Sequence, residues 1–443
     1  MYRKMWNEEM EAILPGAQHQ IELNKLRRQI EYVYAKSPFY QRKFQEANLT
    51  PGEIRHIEDL SRLSFTTKTE LRESQEREPP LGDYLTVSPE SVIRVHRTSG
   101  ATGKSLYTAL TRNDIVQTNE CGARAFWAGG LRPYHTVVHC LNYCLWMGGY
   151  TDHSNLENTG ATVVPFGVRN SRQLVRVIQE ARINAISSTP SYPNYLENIV
   201  REELGIEPVE LGLRLGLFGG EPALEDPNFR KHVEETWGMR ASNANYGMSD
   251  VLCNFSSVCD EVYELHFLGQ GALIAQLIDP SCCEDLVIKE GIRGELVLTN
   301  LDREAQPLIR YRTRDMIEVL GVGPCRCGRT GFRIKVIGRS DDMLHVKGIN
   351  VFPSGITEVL TTLFPDVTRD FQIVLKHPGP YDHLDIIVEH GEGIQPEEME
   401  CLRQKIEKKI GETLTFNANV ELVPPNSIPR TEMGKAIRVV KKF

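Results

Sequence analysis

Nowhere in the 443 residues is there an apolar run near the roughly 18 needed to span a bilayer as a helix, so no membrane-spanning helix is expected. The opening stretch, Met1-Tyr2-Arg3-Lys4-Met5-Trp6-Asn7-Glu8-Glu9, lacks the apolar core of an export signal, and a cytoplasmic protein is the expectation. Positive charge is in short supply: 51 Lys and Arg against 59 Asp and Glu leave a net charge of −8, which argues against bulk nucleic-acid binding. Ten cysteines at uneven spacings make no disulfide framework. There is no fixed-period repeat and no low-complexity tract. What remains, 40% hydrophobic and 25% charged residues, describes an ordinary globular chain long enough for two or three compact units.

One stretch stands out, His96-Arg97-Thr98-Ser99-Gly100-Ala101-Thr102-Gly103-Lys104-Ser105. Val92, Ile93 and Val95 before it and Leu106 to Leu110 after it have strand character. Glycines let backbone N–H groups close on an anion, hydroxyls add donors, and lysine adds charge. A Walker loop requires a glycine where Thr98 stands and a helix directly after the lysine. Here the next helix start is Asn113-Asp114, so the spacing predicts a strand–loop–strand phosphate grip. A plain glycine-rich hairpin turn is the alternative.

Residues 1 to about 90 are helical and charged, with Ile21, Leu23, Leu26, Ile30, Val33 and Tyr34 at helical spacing and Ser37-Pro38 as the stop. From Thr136 short apolar strands alternate with helices: strands at 136–140, 160–165, 185–188 and 213–218, and a helix over 171–181. That alternation predicts α/β layers with parallel pairing, and ligands then gather at the carboxyl ends of the strands. The strand over 213–218 runs into Gly219-Gly220-Glu221-Pro222. Asn245-Tyr246-Gly247-Met248-Ser249-Asp250 forms a second turn, with an aromatic face and a carboxylate. The paired aspartates after Gly338-Arg339-Ser340 suit a domain boundary, and residues 356–443 form a small α+β unit.

In this order the segments resemble the AMP-forming acyl-CoA synthetase (adenylate-forming) superfamily, and within it the phenylacetate–CoA ligase family. The marks are Tyr34-x-x-Ser37-Pro38-Phe39-Tyr40, Thr98 to Lys104, Gly220-Glu221-Pro222, Tyr246 to Asp250, and Tyr311-Arg312-Thr313-Arg314-Asp315. Gly338-Arg339-x-Asp341-Asp342-Met343 and Pro429-Arg430-Thr431-x-x-Gly434-Lys435 complete the set. The resemblance implies a large N-terminal α/β adenylate-forming domain over 1–338, with 1–90 its helical segment. A small mobile C-terminal α+β domain would cover 339–443. It implies an ATP-dependent carboxylic acid–CoA ligase in which the carboxylate attacks the α-phosphorus and CoA then attacks the acyl-AMP.

By the same resemblance Thr98, Ser99, Gly100, Thr102, Gly103 and Lys104 hold the phosphates. Gly220, Glu221, Pro222, Asn245, Tyr246, Gly247 and Met248 hold the base, and Asp315 and Arg339 the ribose. Lys435 stabilises the pentavalent phosphorus, Asp341 is the hinge, Lys347 and Gly348 face CoA, and Asp250 helps hold Mg2+. A homodimer is left open, as are two other readings. One is an adenylating enzyme with a non-CoA acceptor, such as a deazaflavin-AMP synthetase; the other is a non-catalytic nucleotide-binding homologue.

Two departures from the family pattern stand out. Asp250 replaces glutamate and is one methylene shorter. Asn142-Tyr143-Cys144-Leu145-Trp146-Met147-Gly148-Gly149 stands where the family has Gly-Tyr-Gly-Leu-Phe-Thr-Gly-Gly. Each change adds bulk to the acyl pocket of Tyr143, Trp146, Gly148 and Gly149, which predicts a smaller, short-branched or hydroxylated acid; a phenylacetate-like acid is the alternative, should another loop retreat and restore the volume. Finally, Cys259, His266, Cys325 and Cys327 make a tetrahedral zinc set of three thiolates and an imidazole, as in some relatives, with Cys253 a competing ligand. Reduced cysteines in a tight turn are the alternative. His96, His139 and His153 fit structural or pocket-lining roles.

Overall fold

The computed structural model describes residues 2–98, 105–168, 170–347, 349–429 and 438–443. Pro15 opens the first long helix, Pro15–Lys36, its fixed φ already helical. Leu23, Leu26, Ile30 and Val33 form its buried stripe, with Ile21 and Tyr34 half-buried beside it. The helix stops at Lys36 because Pro38 disfavours helical geometry at Ser37. The Ser37 hydroxyl then accepts the Tyr40 N–H and caps the next helix, Pro38–Glu46.

The helix predicted to start at Asn113-Asp114 starts one residue earlier, at Arg112, and runs to Ala128. Thr111 is its cap: its hydroxyl accepts the Asp114 N–H at 3.1 Å while Asp114 accepts the Thr111 N–H at 2.9 Å. Asp114 also accepts the N–H groups of Glu304 and Ala305, so its role is wider than a cap.

A twelve-stranded sheet forms the centre. Its parallel half contains, in spatial order, Thr162–Pro165, Thr136–His139, Ala185–Ser188, Leu215–Gly219 and Arg240–Met248. The inner strands are buried almost throughout, as strands covered by helices on both faces must be. The edge strand Thr162–Pro165 is more exposed and tolerates its proline there. The helix Ser171–Glu180 packs Leu174, Val175 and Ile178 inward. Parallel pairing ends at Met248: Leu252–Ser257, Leu265–Phe267, Leu273–Ile278 and Arg293–Asn300 pair antiparallel, a half that strand–helix alternation did not announce.

The chain divides into two compact units. The first comprises Met1–Leu224, Arg230–Thr313 and Glu318–Lys335; the second comprises Glu225–Phe229, Arg314–Ile317 and Val336–Phe443. The second contains a four-stranded sheet in the order Ala418–Val423, Leu384–His390, Val367–Leu375, Val439–Lys441. Ile356, Val359, Leu360, Ile406 and Ile410, from helices Pro353–Thr361 and Met399–Leu414, pack into one core with Phe371, Ile373, Ile386 and Val388 of that sheet. Among the described residues no helix is long and apolar enough to cross a membrane.

Candidate active site

Arg94–Arg97 and Tyr107–Leu110 pair antiparallel, with Arg97 opposite Tyr107, so the glycine-rich segment between them connects two strands. Thr98 closes that hairpin: its N–H donates to the Leu106 carbonyl at 2.9 Å and its hydroxyl accepts the Leu106 N–H at 3.0 Å. Ser99, Gly100, Thr102, Gly103 and Lys104 lie outside the described residues, as do Gly348, Gly434 and Lys435.

Two parallel strands end side by side at Gly219 and Met248. Their register shifts between Phe218 and Gly219, which sets Gly219 opposite Asn245. Beyond Gly219 come Gly220 and Glu221, then the short turn Pro222–Glu225. The Glu221 carboxylate accepts the Ser191 hydroxyl at 3.1 Å, tying this turn to the start of the helix Tyr192–Leu204. Tyr246 is half-buried and meets Phe255 edge-on at 5.3 Å. Gly247 is required by close approach, since a Cβ there would lie 2.0 Å from the Cys253 carbonyl.

Asn245 to Met248 close the strand rather than form the expected turn, which is confined to Ser249 and Asp250. Asp250 Oδ2 accepts the Tyr311 hydroxyl at 2.8 Å and pairs with Lys68 Nζ at 3.1 Å. Its buried Oδ1 has no hydrogen-bond partner among the described residues. An orphaned carboxylate oxygen beside a polar cluster fits a hard oxygen-ligated cation such as Mg2+. Lys68 was not singled out in the sequence, because one lysine at the start of a charged helix carries no local signal. In the second unit, Arg339 makes a two-pronged pair with Asp341, both bonds at 2.9 Å, and reaches Asp315 Oδ1 at 3.1 Å. The expected ribose and hinge residues are thus brought together. The backbone turns into the left-handed region at Lys347.

The loop 142–146 leads into the helix Met147–Asn158, and it is pinned from two sides. Asn142 Oδ1 accepts the Cys144 N–H at 2.9 Å, which leaves the amide N–H2 as its donor end. The Leu145 carbonyl accepts the Arg97 N–H at 2.8 Å and faces His96 Nδ1 at 3.3 Å, so the loop is tied to the strand Arg94–Arg97. Burial pushes His96 down to about 4, so its ring is neutral; Nδ1–H donates to Leu145 and Nε2 accepts the Thr151 hydroxyl at 2.7 Å. Burial likewise pushes His139 down to about 4. Its Nε2–H is shared by the Gly148 and Gly149 carbonyls at 3.1 and 3.0 Å, and its Nδ1 accepts from Ser187. The Tyr143 hydroxyl meets His153 Nδ1 at 2.9 Å, and His153 Nε2 pairs with Glu157 at 3.1 Å. Trp146, which packs by Gly148, is half-buried. The loop expected to line an acyl pocket is therefore polar on its helix side.

Cys259, His266, Cys325 and Cys327 place four ligand atoms within 4.8 Å of one another in the first unit. His266 Nδ1–H donates to the Glu264 carbonyl at 3.1 Å, which fixes the tautomer that presents Nε2 toward the thiols. The backbone N–H groups of Glu261 and Cys327 approach the sulfurs of Cys259 and Cys325 at 3.4 and 3.5 Å. A hydrogen bond between the two side chains holds Cys327 far below an ordinary thiol and pushes Cys259 up. Three sulfurs and one imidazole at this spacing fit Zn2+. Cys253 is not in the set: its thiol donates to Asp152 at 3.2 Å.

Residues 348–442 match the family model of the AMP-binding enzyme C-terminal domain. The phenylacetate-coenzyme A ligase of Thermus thermophilus is 35% identical over 98% of this chain and 99% of its own. That of Escherichia coli is 33% identical over 95% of this chain and 93% of its own. Among solved structures, 2-hydroxyisobutyryl-CoA ligase in the postadenylation state with 2-HIB-AMP superposes with a TM-score of 0.89. It is 29% identical, over 99% of this chain and 92% of that one. The same ligase in an open conformation with 2-HIB-AMP and CoA gives a TM-score of 0.74, at 28% identity and with 99% and 94% coverage.

Proposed function

The chain belongs to the phenylacetate–CoA ligase family, an AMP-forming acid–CoA ligase that works through an acyl-adenylate, and on that premise we propose that its acid is small and branched or hydroxylated. The observation that carries this is the acyl loop. Asn142, Cys144, Trp146 and Met147 are bulkier than their family counterparts, and Tyr143, His153 and Glu157 form a hydrogen-bonded chain beside it. A phenyl ring gains little from a polar wall, whereas a substrate hydroxyl offers both a donor and an acceptor to it. The likeness to a ligase whose adenylate is 2-HIB-AMP points the same way.

In this reading the segment from Thr98 through Lys104 grips the β- and γ-phosphates. Gly220, Glu221, Pro222, Asn245, Tyr246, Gly247 and Met248 surround adenine. Asp315, steadied by Arg339, accepts both ribose hydroxyls, as a carboxylate can. Asp250 would help hold Mg2+, which would neutralise phosphate charge; Lys68 and Tyr311 keep the carboxylate in place. Lys435 supplies the charge that the pentavalent phosphorus needs. Asp341 is the hinge of a mobile C-terminal domain, and Lys347 and Gly348 face CoA. CoA is assigned as acceptor because the relatives named above are CoA ligases. The cysteine–histidine set takes a structural Zn2+.

The test compares kcat/KM for phenylacetate with that for 2-hydroxyisobutyrate and a panel of acids of about two to five carbons. Packing discriminates by about 1–3 kcal/mol per methylene, so some turnover of aromatic acids is expected. The small acids should lead the panel; a tenfold lead for phenylacetate removes the small-pocket reading and leaves the family assignment intact.

A further inference from the structure

One buried acid takes no part in the reading above. Asp152 lies in the second turn of the helix Met147–Asn158, is 1% exposed, and pairs with no described lysine or arginine. Burial without a cation strongly disfavours a carboxylate unless donors surround it. Asp152 has three. Oδ1 accepts Asn155 Nδ2 at 3.1 Å and the Cys253 thiol at 3.2 Å, and Oδ2 accepts Asn245 Nδ2. Burial, first of all, and the Asp152 charge hold the Cys253 thiol protonated, so it is a donor here.

The three donors come from three elements: the helix itself, the strand Leu252–Ser257 and the strand Arg240–Met248. The helix begins with the acyl-pocket glycines, and a Cβ on Gly148 would lie 3.6 Å from Asp152 Oδ2. Asn245 stands at the register shift opposite Gly219, where a Cβ would come within 2.4 Å of the Asn245 carbonyl. The Asn245 backbone is therefore held by close packing, and its side chain is held by Asp152.

We propose that Asp152 is a positioning residue that, through Asn245, fixes the nucleotide-binding strand against the helix that carries the acyl-pocket glycines. The proposal rests on the assignment of Asn245 to the nucleotide site. Asp152→Asn keeps the volume but leaves one acceptor oxygen for three donors, so the Asn245 amide loses its fixed partner. Asn155→Ala removes a donor from the same carboxylate without touching Asn245.

The experiment measures acid-dependent pyrophosphate release by the full chain at pH 8, where Asp152 is ionised, with ATP and 2-hydroxyisobutyrate or phenylacetate, whichever turns over. KM for ATP is expected to rise about fivefold or more in Asp152→Asn while kcat stays within about threefold. In Asn155→Ala the KM for ATP stays within about twofold, whatever its melting temperature. A purely structural Asp152 lowers the melting temperature of both variants and moves neither KM. Asn245→Ala separates the two layers. If it raises KM for ATP and Asp152→Asn does not, positioning is wrong and the site assignment stands. If Asn245→Ala leaves KM unchanged, the assignment of Asn245 fails and this inference falls with it. Asp152→Ser gives the same comparison should the asparagine variant not fold.

Discussion

His96 and His139 are neutral near pH 7 because burial penalises the imidazolium, and neutrality gives each ring one donor and one acceptor. Both use the donor on a carbonyl of the segment 145–149 and the acceptor on a hydroxyl, so each ring orients two elements at once. Asp152 shows the opposite side of the same physics. Burial raises it from 3.8 to about 7, against the pull of its Cys253, Asn245 and Asn155 hydrogen bonds. Between those two values the folded protein keeps a proton that the unfolded chain has released. Its contribution is therefore most favourable below pH 4 and is lost as pH rises toward 7. The full shift corresponds to a change on the order of 4 kcal/mol. Wild type should lose stability relative to Asp152→Asn as pH rises from 5 to 8. Denaturant titrations at both values check this, and a difference between the two proteins that does not move with pH removes the buried titration.

At the scale of elements, the cysteine–histidine set stands on three pieces. Cys259 follows the strand Leu252–Ser257, His266 sits in the strand Leu265–Phe267, and Cys325 and Cys327 flank a turn closed by the Gly328 N–H on the Cys325 carbonyl. Arg329, next along, is buried against Glu11 at 2.7 Å, which connects the turn to the N-terminal segment. A tetrahedral ion would lock all three together, with no open position for chemistry. Elemental analysis should give one zinc per chain, and Cys325→Ser with Cys327→Ser should abolish it. The melting temperature should then fall by about 5 °C or more, while any activity that remains keeps its KM values. Full zinc retention in the double variant, or no zinc in wild type, rules the site out.

This cluster was legible in the sequence because a Cys-x-Cys pair and a separate Cys and His advertise themselves. The parallel strands were legible too, since buried runs such as Val137-Val138 and Leu215–Phe218 need no partner to be recognised. The antiparallel half was not, because its pairing depends on turns and registers without a distinctive pattern. The true cap at Thr111 was missed because Asn113-Asp114 is locally just as good a start, and Asp114 is recruited by Glu304 and Ala305 far along the chain.

For the whole molecule, the order of motifs along the chain was readable, but the polar connections between them were not. Asp152 and Asn245 are 93 residues apart, and Lys68 and Asp250 are 182 apart. No periodicity reports such a meeting; it exists only once the sheet has brought strand ends together. Phosphorus chemistry needs a cation at the α-phosphate, where charge builds up, whereas thiol attack on the finished acyl-AMP builds charge on the acyl carbonyl oxygen instead. Lys435, in the final Gly434-Lys435 pair, is assigned to the first step alone. Lys435→Ala should therefore lose acid-dependent pyrophosphate release by about a hundredfold or more, the ~3 kcal/mol that one preorganised charge supplies. Conversion of supplied acyl-AMP and CoA to thioester should stay within about threefold of wild type. Measuring the two half-reactions separately decides the matter. An equal loss in both means that Lys435 serves the fold or both transition states, and the division of labour between the steps is then wrong.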